Sequence, residues 1–72
     1  MEEFDLQGRE FVELCDLLKL LSLSPSGGAA KMTIAAGAVK VDGQIELRKR
    51  CKVRPGQVVE FEGQQIAVVQ RD

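Results

Sequence analysis

Five cations crowd into seven positions between Arg48 and Arg54, in the run RKRCKVR. Each ammonium or guanidinium that meets a phosphate releases condensed counterions, so such a cluster binds polyanions with salt-dependent affinity. Cys51 and Val53 interrupt the run, which lets several cations point outward together. Lys31 and Lys40 can join Arg48, Lys49, Arg50, Lys52 and Arg54 if the segment carrying Lys40 folds back on the one carrying Lys31. Gly27 and Gly28 add a place where another backbone can come close. Exposed amides of a helix starting there would suit an anion. Each feature also has a plainer reading, because charge runs are usually solvated faces and paired glycines also suit close helix packing.

Catalysis finds no support in the residue types. The chain has no histidine, so the usual general base near neutral pH is missing. Ser22, Ser24 and Ser26 read as loop and capping residues without a base to activate them. SPSGGAAK lacks the glycine-to-lysine spacing of a Walker loop. No spacing singles out a carboxylate pair. Cys15 and Cys51 match no zinc-ligand spacing. Both read as reduced spectator thiols, Cys15 in an apolar stretch and Cys51 among cations that lower a thiol pKa. The expectation is a protein that is not an enzyme and uses no metal or cofactor.

Net charge is only −1, but it is unevenly distributed. Residues 1–20 carry six acids and two bases, a net of −4. Residues 31–54 carry seven bases and two acids, a net of +5. The local field matters more than the total for a charged partner. Seventy-two residues read as one domain, 1–72, near the lower limit for a self-sufficient core. No apolar run approaches the ~20 residues of a membrane span. The acidic start MEEFDL is unlike a secretory signal, so the expectation is a cytoplasmic protein.

The elements that must position these cations read as follows. Phe4 and Leu6 suggest a short opening strand. Apolar residues from Phe11 to Leu21 recur at helical spacing, predicting a first helix over 10–21. Ser24 then Pro25 reads as a cap and first helical residue, predicting a second helix over 25–36 that stops at Gly37. Val39 and Val41 alternate with Lys40, and Asp42-Gly43 is a hairpin turn signal leading to Ile45 and Leu47. Residues 48–54 read mostly as loop. Val58–Phe61 and Ile66–Val69 read as strands joined around Gly63.

These residues resemble a known family, the RNA-binding domain of the small-subunit ribosomal protein numbered four, or alpha-L motif. Its pattern S-R-x-x-A-K-x-x-I-x-x-G-x-V-x-V-N-G is met by Ser26, Ala30, Lys31, Ile34, Gly37, Val39, Val41 and Gly43. The later V-x-P-G-x-x-V is met by Val53, Pro55, Gly56 and Val59, so the likeness covers roughly residues 11–61. ELCDLLKL, SGGAAK, VKVDG and RKRCKV together look like the small single-domain bacterial branch, the YbcJ-like proteins. Asp42 replaces the usual asparagine, an exchange that keeps the turn chemistry. Two departures stand out: Gly27 replaces a frequent arginine, which removes one phosphate contact, and the start of the first helix is acidic where many relatives carry a base.

The resemblance implies an α+β fold, with two helices packed on a short twisted sheet of about four to five strands. It also implies an RNA-facing surface on the second helix and first hairpin. The candidate set is Ser26, Gly27, Gly28, Lys31, Lys40, Arg48, Lys49, Arg50, Lys52 and Arg54. Tryptophan and tyrosine are absent, which disfavours base stacking and points to structured RNA, ribosomal or other non-coding, read by shape and phosphate position. The expected protein is a monomeric binding module, in a ribonucleoprotein or beside an RNA-modifying enzyme. The rival expectation is a protein–protein adaptor whose basic face docks an acidic partner. A sulfur-carrier reading of VKVDG fails because the chain ends Gln70-Arg71-Asp72 and not Gly-Gly.

Overall fold

Alternate side chains along four strands face one interior: Val39 and Val41, Val59 and Phe61, Ile66 and Val68, and Phe4 beside them. In the computed structural model, which describes residues 1–71, these four strands and a fifth form one mixed sheet. The strands are β1 (Glu2–Asp5), β3 (Val39–Val41), β4 (Gln44–Ile45), β6 (Val58–Phe61) and β7 (Gln64–Val69). Their order across the sheet is β1-β7-β6-β3-β4. Strand β1 runs parallel to β7, with Glu2 beside Ile66 and Asp5 beside Val69, so the two ends of the chain are zipped together. A separate two-stranded ribbon pairs β2 (Val12–Glu13) with β5 (Lys52–Val53).

The helices are α1 (Leu14–Leu20) and α2 (Gly27–Ala35). Leu14, Leu17 and Leu18 of α1 join Ala30 and Ile34 of α2 and the inward residues of the sheet in one apolar core. This is the α+β arrangement expected, two helices on a short sheet.

Helix α1 is shorter than the predicted 10–21. Val12 and Glu13 are extended and pair with Val53 and Lys52. No side chain caps the helix. Instead the Leu14 amide donates to the Cys51 carbonyl (2.9 Å) and the Cys15 amide to the Lys49 carbonyl (3.1 Å). The basic segment therefore satisfies amides that a helix start leaves without partners. A long-range backbone contact replaced the first turn, and nothing in local spacing announces it.

The start of α2 also differs from expectation. Ser24 is buried, and its amide donates to the Leu18 carbonyl. Ser26 is the cap, its Oγ accepting from the Ala29 amide at 3.1 Å. Pro25 thus precedes the helix. The end is as read: Gly37 has φ +80°, its amide donates to Ile34 O, and the Ala38 amide donates to Thr33 O. This left-handed closure hands two terminal carbonyls their donors.

Asp42 and Gly43 both have positive φ (52° and 83°), the pattern of a two-residue hairpin turn. Asp42 does more than turn the chain. Its carboxylate accepts from the Val58 amide (2.9 Å) and from Gln57 Nε2 (3.4 Å), tying the hairpin to β6.

Candidate nucleic-acid interface

The basic segment is held by its two apolar members. Cys51 and Val53 are buried, while Arg48, Lys49, Arg50, Lys52 and Arg54 are exposed. With Cys51 and Val53 pointing inward, the intervening Lys52 and the flanking cations are turned outward, as strand alternation requires. Arg48, Arg50, Lys52 and Arg54 line one open cleft of about 540 Å³, with Cys51 also in its wall. Four positive side chains on one concave surface can hold several phosphate oxygens at once.

The remaining candidates lie outside that lining. Lys49 is exposed, and its carbonyl serves the start of α1. Lys31 is half-buried on α2. Lys40 is exposed on β3, with Ile45 on one side and Glu60 on the other. Ser26 spends its hydroxyl on the helix cap. A Cβ at Gly27 would meet nothing within 4 Å, and one at Gly28 only Ser26 Oγ at 3.9 Å. Close helix packing therefore does not explain the glycine pair.

One cleft cation is already partnered. Arg48 Nε donates to Glu46 Oε2 at 2.9 Å and Nη2 to Oε1 at 3.1 Å, while the Arg48 amide also donates to Oε2. This two-pronged grip, with the added amide, holds the Glu46 carboxyl down at about 2. Arg48 is correspondingly raised. The neutralising acid is thus a near neighbour in sequence, not one from the opening acidic stretch.

The thiol of Cys51 goes against expectation. Burial, reinforced by the Glu46 charge, pushes its pKa up, and Arg48 only partly opposes this. Burial outweighs the one cation that reaches the thiol, Arg48, whose Nη2 lies 3.6 Å from Sγ and whose charge is already met by Glu46. Both cysteines are free, as read from the sequence.

Two participants escaped sequence reading. Glu46 had no signal beyond its place two residues before Arg48. Phe11 was read as part of a helix, yet Lys52 Nζ lies 5.0 Å and Arg54 Cζ 5.6 Å from its ring centroid. Among the described residues, Glu13, Cys15 and Asp16 alone bring three possible metal-ligand atoms within 4.8 Å. The thiol is buried and the cluster sits at the turn from β2 into α1, where it carries no site. No helix among the described residues is long and apolar enough to cross a membrane.

Known proteins share this fold. The solution structure of YbcJ from E. coli, described as revealing an αL motif involved in RNA-binding, matches with a TM-score of 0.72 at 55% identity, over 96% of this chain and 87% of that one. The Escherichia coli K12 protein named "Putative RNA-binding protein YbcJ" is 55% identical over 69 residues, 96% of this chain and 99% of that protein. A Shigella flexneri protein, "Uncharacterized protein YbcJ", matches to the same extent. The S4 domain family matches residues 4–69, nearly the whole described chain. A capped helix closed by Gly37, a hairpin turned on Asp42-Gly43 and a match running from β1 to the end of β7 lead to one conclusion: the chain belongs to the S4 domain family.

Proposed function

We propose that this protein is a non-catalytic RNA-binding module, residues 1–72 acting as one unit, that holds structured RNA through the cleft lined by Arg48, Arg50, Lys52 and Arg54. The observation that carries the reading is the gathering of those four cations around one concavity. The descriptions of the E. coli relative and its structure as RNA-binding support it. The aromatic content supports a structured ligand. Phe4 and Phe61 pack on or within the core, and the ring of Phe11 is covered by cations, so no open platform remains for stacking bases. Lys31, Lys40 and Lys49 extend the field, and the glycine pair leaves the start of α2 open to a backbone. RNA read through phosphate position requires neither histidine chemistry nor a cofactor.

The test is filter binding to unfractionated tRNA across a salt series, comparing the natural protein with the triple variant Arg50→Gln, Lys52→Gln, Arg54→Gln. Binding by the natural protein should fall steeply with salt, with a log–log slope near −2 to −4 for roughly four phosphate contacts. The triple variant should keep its circular dichroism and lose at least tenfold in affinity. Equal affinity of the two proteins would overturn the reading. Partners that survive ribonuclease treatment in a pull-down would favour an acidic protein ligand instead.

A further inference from the structure

Phe11 is half-buried, yet among the described residues it is not one of the apolar side chains packed against the core. Its cover comes from Lys52 and Arg54, whose charged groups lie 5.0 and 5.6 Å from the ring centroid. The ribbon geometry explains how they meet. Val12 and Val53 pair and point inward. Strand alternation then puts Glu13 and Lys52 on the outward side. Continuing the antiparallel register one step sets Phe11 opposite Arg54.

Lys52 therefore has two neighbours on its face, the Glu13 carboxylate directly across and the Phe11 ring on the diagonal. It takes the ring. Among the described residues, the ion pairs are Arg48 with Glu46 and Arg71 with Glu3, and Lys52 joins neither. The Glu13 carboxylate instead lies within 4.8 Å of the Cys15 thiol and the Asp16 carboxylate. A ring face attracts a cation without neutralising it, whereas a carboxylate partner would cancel its charge.

We propose that Phe11 is a positioning residue for the anion cleft: its ring holds Lys52 and Arg54 toward the ligand and keeps Lys52 from pairing with Glu13. This rests on the RNA-binding reading for its ligand, but the cations would be held in the same way for any polyanion. The ring fixes two long, flexible side chains before binding, so less of their freedom is lost when phosphate arrives.

The experiment uses Phe11→Leu, Phe11→Trp, Glu13→Gln and the double variant Phe11→Leu with Glu13→Gln. Probes are unfractionated tRNA and inorganic tripolyphosphate. NMR reads the Lys52 Hε and Arg54 Hδ protons, which lie in the ring current of Phe11. Expected for Phe11→Leu are a native amide spectrum, loss of the upfield shifts and about a fivefold loss of affinity for both probes. Phe11→Trp should retain both shifts and affinity. Glu13→Gln should help binding more in the Leu background than in the natural one, a coupling that a merely structural Phe11 would not produce. Unchanged affinity in Phe11→Leu, or a loss that Trp does not recover, overturns the proposal. If the natural protein binds tripolyphosphate but not tRNA, while Phe11→Leu weakens tripolyphosphate, the RNA reading falls and the role of Phe11 stands. If it binds neither, both fall.

Discussion

At the scale of single residues, Glu46 sets how much of the cleft's charge is available. Its carboxylate is held near 2 by the Arg48 guanidinium and amide. A depressed carboxyl stabilises the fold above its ordinary value near 4.5, and that contribution disappears as pH falls toward 2. Acid unfolding of the Glu46→Gln variant should therefore show lower stability than the natural protein at pH 5 to 7, with the gap closing by about pH 2. The same substitution releases Arg48 and removes an acid paired with a residue of the cleft, so tRNA should bind about two- to fivefold more tightly at low salt. Cys51 makes a second case. Its buried, raised thiol should react with Ellman's reagent more slowly than free cysteine at pH 8, and an equally fast reaction would contradict its placement. The sequence showed which residues are charged around Cys51, but not that its side chain is buried beside the Glu46 carboxylate, and these two decide the direction of the shift.

At the scale of elements, glycines at the two ends of α2 should respond with opposite sign. Gly28 has no positive φ and an open place for a Cβ, so Gly28→Ala should stabilise the fold by about 0.5–1 kcal/mol in urea unfolding. Gly37 has φ +80°, so Gly37→Ala should cost about 1–2 kcal/mol even though its Cβ would meet only ordinary contacts, the nearest Ile45 Cγ2 at 3.8 Å. Turn and stop signals were legible for this reason: Gly37, Asp42-Gly43 and Gly63 impose backbone conformations that few residues adopt. Hairpin strands β3, β6 and β7 were legible from their alternation. The ribbon of β2 and β5 was not, because its partners are about forty residues apart and each contributes two paired residues. Phe11 and Leu14 fall at helical spacing by coincidence, and Val12, buried with its ribbon partner Val53, carried the true pattern. Ser24 looked like a cap because proline followed it. Ser26 won that role because Ser24 is needed in the junction between the helices, where its amide meets Leu18.

At the scale of the whole molecule, the separation of charge along the sequence is kept only in part: Glu13 of the acidic stretch sits across the ribbon from Lys52, whereas the acids of β1 lie elsewhere. Acids Glu3 and Asp5 of β1 face a shallow depression that also holds Arg9, Phe4 and Leu20, while four cations gather around the other cleft. Composition gave a net of −1 and hid this. The family pattern directed attention to α2 and the first hairpin, where Lys31 and Lys40 stand, whereas the densest group of cations lies on the β5 side of the fold, in the segment that also completes the start of α1. One stretch thus supports the fold and carries the candidate site: the backbone carbonyls of Lys49 and Cys51 hold α1 while the side chains of Arg50, Lys52 and Arg54 face solvent. The most direct measurement is a ¹⁵N-labelled amide titration with unfractionated tRNA at low salt. The largest perturbations are expected at residues 48–54 and at Phe11, with smaller ones around Lys31 and Lys40. Perturbations centred on Glu3, Asp5 and Glu60, or none at all, would contradict RNA binding through the basic cleft.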